Sequence, residues 1–241
     1  MLMSLAADLF NFPDRPSILD VLRSSTLLNS LHAEEFDDLA RTSHLAFAER
    51  GDTIWIRGAD TDFFGLVGSG FVKMVMSSAT GQEMTAELMG PGQVFGLLGT
   101  VQGTGCPLSA RAVTHVWYLK VPKREFLPIY QKADVLKDAL MRRTTNRLQQ
   151  AYVMMSRMSS GKVSERIAAV LFILADSYGR PGTGGLEVRV PLTRQDIADL
   201  AGTTVESTIR VMSRWQKAGL IATEHRMVTL TDEEGLARQM R

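Results

Sequence analysis

Hydrophobic and polar positions follow two different periods along this chain. From Leu45 to Val121, short runs such as TIWIR, GFVKMVM and HVWYLKV alternate with period two and are separated by glycines. Side chains of a strand point alternately to its two faces, so we expect seven or eight short strands at intervals of roughly ten residues. The runs predict a small all-β sandwich or roll.

Helical spacing replaces this alternation on both sides of the β segment. Between Pro128 and Ser160 there is neither glycine nor proline, which predicts a long helix, and the Ser-Ser-Gly run at residues 159–161 then indicates a hinge. The predicted organisation is N-terminal helices at 1–43, a β-roll at 44–130, a long helix with its hinge at 131–160, and a C-terminal domain at 161–241.

The apolar positions of the long helix are three and four residues apart, which is the seam of a two-stranded coiled coil. A helix of about 26 residues is near 39 Å long, more than a small roll needs as cover. The helix either lies on the roll of its own chain or pairs in parallel with a second copy, and its length and seam favour the pair. The predicted dimer positions are Met141, Thr144, Leu148, Ala151, Met155 and Met158.

Two short helices joined by a tight turn are predicted between Leu192 and Ile221. Thr193 can cap the first helix, and Asp196 suits its positive end. Gly202 breaks that helix, and Thr203 or Thr204 can cap the next. The apolar positions of the second helix are expected to be Val205, Ile209, Met212 and Trp215 or Gln216. Two helices around a glycine-containing turn are typical of a helix-turn-helix.

Residues 222–230 alternate as a short hairpin, which is expected to form a wing after the second helix. At the start of that helix, Glu206 and Arg210 are four residues apart and share one side. Arg210 can bond both guanine O6 and N7, and Glu206 can accept from the cytosine amino group. The alternative is an ion pair between the two on a solvated face; the preceding helix and turn favour DNA. The predicted DNA-binding residues are Glu206, Arg210, Ser207, Arg214, Thr193, Thr204 and Val205.

These motifs resemble the Crp/Fnr family of bacterial transcription regulators over nearly the whole chain. In that family the recognition helix carries Glu, two residues, a variable residue and Arg, which Glu206 and Arg210 match. Ile209 differs from the Ser or Gly of the best-known members, and Val205 differs from the Arg of one branch. The spaced glycines and PGQVFG resemble the family's cyclic-nucleotide-binding jelly roll and the start of its phosphate-binding cassette.

The resemblance implies an α+β fold with an N-terminal cyclic-nucleotide-binding-like β jelly roll, a long dimerisation helix and a C-terminal winged helix-turn-helix. It implies a cytoplasmic homodimer on palindromic double-stranded DNA, with RNA polymerase as a further partner. An unknown small-molecule or redox effector would act through the roll. The competing hypothesis is a haem or small-molecule sensing module whose helix-turn-helix contacts a protein partner.

The nucleotide pocket of the family can be compared position by position. Leu97 stands where the family has a Glu that binds the ribose. Cys106 and the following proline replace the family's Arg-Ser pair, and Ala151 and Tyr152 replace its Thr-Ser pair. Only Arg147 matches the family. Without its cationic partner a buried phosphate loses a charge-assisted contact, so cyclic AMP is not expected to bind in the usual manner. The candidate effector-pocket residues are Leu97, Cys106, Ser109, Arg147, Ala151 and Tyr152.

The composition and charge distribution of the chain bear on its class of protein and on its partners. With 45% apolar and 22% charged residues the chain has the composition of a soluble protein, and neither a membrane span nor a signal peptide is expected. Its net charge is only +1, but residues 120–166 hold 11 Lys and Arg against 4 Asp and Glu, whereas residues 1–119 hold 7 against 13. An acidic first half and a basic middle are expected to meet different partners.

The single cysteine bears on the cofactor. It excludes an iron-sulfur cluster held by about four thiolates of one chain. Cys106 before Pro107 either presents a thiolate to haem iron or is a loop cysteine before a turn proline. The four histidines show no metal-ligand spacing, so no metal site is expected. Neither a nucleophile with its base nor a Walker-type loop is present, so we expect no enzymatic activity.

Overall fold

The computed structural model describes residues 13–77 and 83–240, without the side chains of residues 30 and 157–160. The N-terminal residues on which the signal-peptide prediction rests lie mostly outside this described part. Internal contacts define two compact units. One comprises residues up to Val75 together with 88–140, and the other comprises 76–87 together with the chain from Met141 onward.

The first unit begins with two helices, α1 (Ile18–Ser24) and α2 (Ala33–Thr42). Helix α1 starts where it does because the Ser17 hydroxyl accepts the Asp20 N–H at 3.1 Å. Eight strands follow along the chain: β1 (His44–Ala48), β2 (Thr53–Trp55), β3 (Phe63–Ser69), β4 (Val72–Ser77), β5 (Glu83–Met89), β6 (Val94–Phe95), β7 (Ser109–Ala112) and β8 (Val116–Pro122). The end of β4 and most of β5 belong to the second unit. A short helix, α3 (Leu97–Gln102), lies between β6 and β7.

The eight strands form two four-stranded sheets, with strand orders β1-β8-β3-β6 and β2-β7-β4-β5. Strand β8 runs antiparallel to both β1 and β3. Alternate side chains bury themselves in a common core, in which the rings of Trp55 and Phe95 stack at 5.1 Å. Gly65 on β3 carries no side chain because a Cβ there would overlap the Phe95 ring. The predicted β-roll is therefore confirmed.

A fourth helix, α4 (Lys123–Lys132), was not predicted, since residues up to 130 were assigned to the roll. Phe126, Ile129 and Tyr130 have the helical spacing i, i+3 and i+4. Phe126 is fully buried and meets the Phe64 ring edge-on at 4.8 Å. This helical spacing covers only a few residues and follows directly after β8, so it was assigned to the roll. Helix α4 ends at Lys132, and the predicted long helix begins only at residue 134, as α5 (Asp134–Ser160).

The second unit contains the helix-turn-helix. Its elements after α5 are α6 (Val163–Tyr178), β9 (Gly179–Gly182), β10 (Gly185–Val188), α7 (Arg194–Ala201), α8 (Val205–Lys217), β11 (Ile221–Glu224), β12 (Met227–Leu230) and α9 (Glu233–Ala237). The strands form one sheet in the order β11-β12-β10-β9. The glycine-rich stretch at 179–185, predicted as a turn, closes a hairpin between β9 and β10, because Gly185 can adopt a φ of 130°.

The core of this unit is formed by apolar side chains of α6, α7 and α8. Ile167, Leu171, Ile197 and Met212 are fully buried there, and Trp215 is nearly so. Within the described ranges, no helix combines the length and the apolar character that a membrane crossing requires.

Candidate nucleic-acid interface

Helix α7 is fixed at its start by a reciprocal cap. The Thr193 hydroxyl accepts the Asp196 N–H at 3.1 Å, and the Asp196 carboxylate accepts the Thr193 N–H at 2.9 Å. Two backbone donors that a helix start leaves without partners are thereby satisfied. Thr193, a predicted backbone-contacting residue, thus has a structural role in the protein itself.

The turn between α7 and α8 depends on a glycine and a second cap. Gly202 ends α7 with a φ of 58°, in the left-handed region that glycine adopts at low cost. The Thr204 hydroxyl then accepts the Ser207 N–H at 3.3 Å and donates to the Ser207 hydroxyl at 3.2 Å. Both residues predicted to contact the DNA backbone here are therefore engaged at the start of α8.

The buried face of α8 differs from the one predicted. It is formed by Thr208, Val211, Met212 and Trp215, whereas Ile209 is 47% exposed. The assignment of Ile209 to the packed face was therefore wrong. The reason is Thr208, which is buried although it is polar, because its hydroxyl donates to the Thr204 carbonyl at 3.1 Å.

Four exposed side chains with the spacing i, i+3, i+4 and i+7 form one strip along α8. We call it the outer strip, and its members are Glu206, Ile209, Arg210 and Ser213. Glu206 lies in the first turn, where a carboxylate complements the helix dipole. Among the described residues, no ion pair or hydrogen bond joins Glu206 to Arg210. The intrahelical pair considered as an alternative is therefore absent from the described part of the chain.

The remaining predicted contacts flank the outer strip. Arg214 is exposed, whereas Val205 and Ser207 are half-buried at the start of α8. The Arg214 side chain is thus open to solvent, whereas only part of the Val205 side chain is.

The wing is a two-residue hairpin with an unusual turn. His225 and Arg226, between β11 and β12, both have positive φ values, 48° and 66°. Such a turn usually contains glycine or asparagine, since other residues pay a conformational penalty there. The His225 side chain is exposed, with Nδ1 3.7 Å from a Glu224 carboxylate oxygen. The tip therefore presents one imidazole and one guanidinium to solvent.

A hydrogen-bond chain that we did not predict connects the wing to both helices. Arg194 at the start of α7 donates to the Thr223 hydroxyl on β11 at 3.3 Å, and that hydroxyl donates to the Gln216 side chain on α8 at 3.0 Å. Burial lowers the pKa of Arg194, but the group stays cationic near neutrality. No local sequence pattern predicts this contact, because Arg194 and Thr223 are 29 positions apart in the sequence.

Helix α5 exposes an apolar stripe whose members are seven, four and three residues apart. We call it the α5 stripe, and it consists of Met141, Leu148, Tyr152 and Met155. Ala151, a predicted dimer position, is exposed beside it, whereas Thr144 is half-buried. The side chain of Met158, also predicted here, lies outside the described residues.

The candidate effector residues of the β-roll are mostly built into its structure. Leu97 is buried beneath the helices, and Cys106 belongs to the core between the sheets. Burial raises the pKa of the Cys106 thiol, which favours the neutral form over the thiolate that haem iron would bind. The Ser109 hydroxyl accepts the Arg57 N–H at 2.9 Å. The burial of Cys106 in the core favours the loop cysteine over the haem ligand.

Arg147, the one pocket residue that matches the family, meets a carboxylate of its own chain. Its guanidinium lies 3.1 Å from Glu87 on β5, in the same unit. Arg143 also stabilises the Glu87 anion, but burial outweighs both and raises the pKa of Glu87. Burial and the nearby Arg147 lower the pKa of Arg143 to about 10. The two other candidates on this helix, Ala151 and Tyr152, are exposed, and Tyr152 belongs to the α5 stripe.

Two domain families match the chain. Residues 46–133 match the cyclic nucleotide-binding domain, and residues 165–239 match the Crp-like helix-turn-helix domain. The "Anaerobic regulatory protein" of Pasteurella multocida (strain Pm70) is 27% identical over 164 residues, which are 68% of this chain but only 60% of that protein. The match thus spans less than two thirds of that relative.

Two further likenesses extend over more of the chain. The "CRP-like cAMP-activated global transcriptional regulator" of Mycobacterium tuberculosis (strain CDC 1551 / Oshkosh) is 27% identical over 192 residues, 80% of this chain and 86% of that protein. The structure of FixK2 from Bradyrhizobium japonicum superposes with a TM-score of 0.73 at 20% identity, covering 82% of this chain and 97% of that one. At this identity the structural likeness concerns the fold.

A β-roll of the cyclic-nucleotide-binding type followed by a long helix and a Crp-like helix-turn-helix defines a class of transcription regulators. The chain belongs to the Crp/Fnr family, as the sequence resemblance implied. The family consists of regulators rather than enzymes, in agreement with the prediction of no enzymatic activity.

Proposed function

We propose that this chain is a homodimeric, sequence-specific DNA-binding transcription regulator of the cytoplasm. The observation that carries the proposal is the outer strip of α8, in which Glu206 and Arg210 are exposed and free of each other on a helix capped by Thr204. A recognition helix reads base edges with residues of its N-terminal half. Arg210 would bond guanine, Glu206 would accept from cytosine, and Arg214 would bind a phosphate.

The α5 stripe supports the homodimer. Met141 and Met155 are 68% and 63% exposed, and large apolar side chains at seam spacing on a 27-residue helix are typical of a helix that pairs with its twin. In such a dimer the two α8 helices would enter successive major grooves about 34 Å apart, which requires a palindromic site. RNA polymerase is the further partner that this role implies.

Selection of bound duplexes from a random library tests DNA recognition. We expect the full chain to enrich a palindrome whose half-site contains a G·C pair, with half-site centres one helical turn apart, and with affinity that falls as salt rises. The competing hypothesis, a helix-turn-helix that contacts a protein partner, predicts no enriched sequence. Absence of enrichment in the presence and in the absence of cell extract would contradict the proposal.

Regulation is proposed to act through the β-roll and α5, with an effector other than cyclic AMP in the usual pocket. Of the cationic residues that hold the nucleotide in the family, this sequence retains only Arg147, which is already paired with Glu87. The buried side chains of Leu97 and Cys106 do not replace the missing polar contacts to a phosphate or a ribose. A ligand shifts an equilibrium only by its difference in affinity for the two states.

Addition of cyclic AMP is accordingly expected to leave the affinity for the selected palindrome unchanged, even at millimolar concentration. Titration calorimetry with cyclic AMP is expected to show no saturable heat. Saturable binding that disappears in Arg147→Ala would mean that the retained arginine still holds the nucleotide, and this part of the proposal would then be wrong.

A further inference from the structure

Ile209 is the one large apolar side chain of the outer strip. Its neighbours there, Glu206, Arg210 and Ser213, are all polar, and Ile209 itself is 47% exposed. Val205, one turn earlier on the same side, is half-buried and extends the apolar surface toward the start of α8. An apolar edge therefore runs beside the charged part of the strip, in the half of the helix that faces bases in this motif.

The major groove offers an apolar side chain one specific partner. Each base edge there presents hydrogen-bond donors or acceptors, and thymine adds a C5 methyl group. A branched aliphatic side chain has no hydrogen bond to offer the polar edges, but it can pack against that methyl and exclude water from both. Ile209 is therefore complementary to thymine through apolar packing, as Arg210 is complementary to guanine through hydrogen bonds.

We infer that Ile209 is a specificity-determining residue that packs against a thymine methyl in each half-site. The inference rests on the proposed DNA-binding function and adds a base to it. Glu206 and Ile209 are three residues apart on the helix, so their Cβ atoms are about 5–6 Å apart. Base pairs are stacked about 3.4 Å apart, which locates the thymine one or two base pairs from the pair that Glu206 contacts.

Ile209 can be varied without disturbing the fold. The buried face of α8 is formed by other residues, with Met212 and Trp215 as its largest side chains. Alanine is also a better helix former than isoleucine, so Ile209→Ala should retain the structure of α8. A change in DNA affinity can then be attributed to the outer strip.

The test removes the methyl group alone. In the palindrome selected by the full chain, each thymine of one half-site is replaced singly by deoxyuridine, and dissociation constants are measured for the wild type and Ile209→Ala. We expect one thymine, within two base pairs of the pair read by Glu206, whose replacement weakens wild-type binding about fourfold, as expected for one buried methyl group. The same replacement should have no effect on Ile209→Ala.

Ile56→Ala is the matched control, because Ile56 is an exposed isoleucine of the other unit. It should show the same fourfold sensitivity as the wild type. The inference is overturned if the selected half-site has no thymine at these positions, if no thymine is sensitive to loss of its methyl, or if Ile209→Ala keeps the full sensitivity. All three outcomes leave DNA recognition standing, whereas failure to select any sequence would overturn the proposed function itself.

Discussion

Leu148→Glu is expected to convert the protein from a dimer to a monomer. Leu148 is 49% exposed within the chain and lies in the middle of the α5 stripe, between Met141 and Tyr152. In a parallel pair of helices the two copies of this position face each other, so the change would bring two carboxylates together in an apolar seam. Burying charge without a partner costs about 3 kcal/mol or more, equivalent to at least about a hundredfold in the dimer dissociation constant.

Val153→Glu provides a matched control for this experiment. Val153 is also 49% exposed on α5, but five residues further on it faces away from the stripe. Sedimentation velocity over a range of concentrations should show a monomer for Leu148→Glu and a dimer for Val153→Glu. If both variants remained dimers, the second copy would have to bind elsewhere on the molecule. If both became monomers, the stripe would not be the specific contact.

Loss of the dimer should also reduce binding to the palindrome. A monomer contacts one half-site, and the second contact no longer occurs at the high effective concentration that a dimer provides. Leu148→Glu should therefore bind a full palindrome with nearly the same affinity as an isolated half-site. The wild type should bind the palindrome far more tightly than the half-site.

Local chemistry made much of the second unit predictable. The Thr193 and Thr204 caps and the Gly202 turn follow from residue types at fixed offsets, and the structure contains all three. The β-roll was predictable for a related reason, because period-two runs between glycines describe strands directly. In both cases neighbouring residues determine the element.

The errors concern two residues whose partners were not identified, one within its own helix and one on a strand far away in the sequence. Thr208 was not among the positions expected on the packed face of α8. Its hydroxyl donates to the Thr204 carbonyl and its side chain is buried, whereas Ile209, which was expected there, is exposed. Arg147 looked like a ligand contact, but Glu87 on a distant strand pairs with it. The bond of Thr208 is a local pattern common to threonine in helices. The pairing of Arg147 with Glu87 could not be chosen from the sequence, because no local spacing relates the two residues.

Arg210→Ala is expected to abolish discrimination at one base pair of the half-site. Arg210 is exposed in the outer strip, and in the described part of the chain it has no ion-pair partner that must be broken before it binds DNA. A bidentate contact with guanine is worth about 1–3 kcal/mol, so affinity for the selected palindrome should fall about 5- to 150-fold per half-site. Affinity for random duplex should change much less, because phosphate contacts remain.

Arg214→Ala separates base reading from charge. Arg214 lies on the same helix and is also exposed, but it flanks the outer strip. If Arg214 binds a phosphate, its loss weakens binding to every sequence alike and lowers the salt dependence of binding by about one ion. Fluorescence anisotropy with the selected palindrome, with single-base variants of it and with random duplex distinguishes the two effects. Equal loss on all duplexes for Arg210→Ala would show that Arg210 binds phosphate and that another residue reads the guanine. Selective loss, confined to one base pair, requires the guanidinium to lie against that base edge, and this orientation also fixes which neighbouring pair Ile209 can reach.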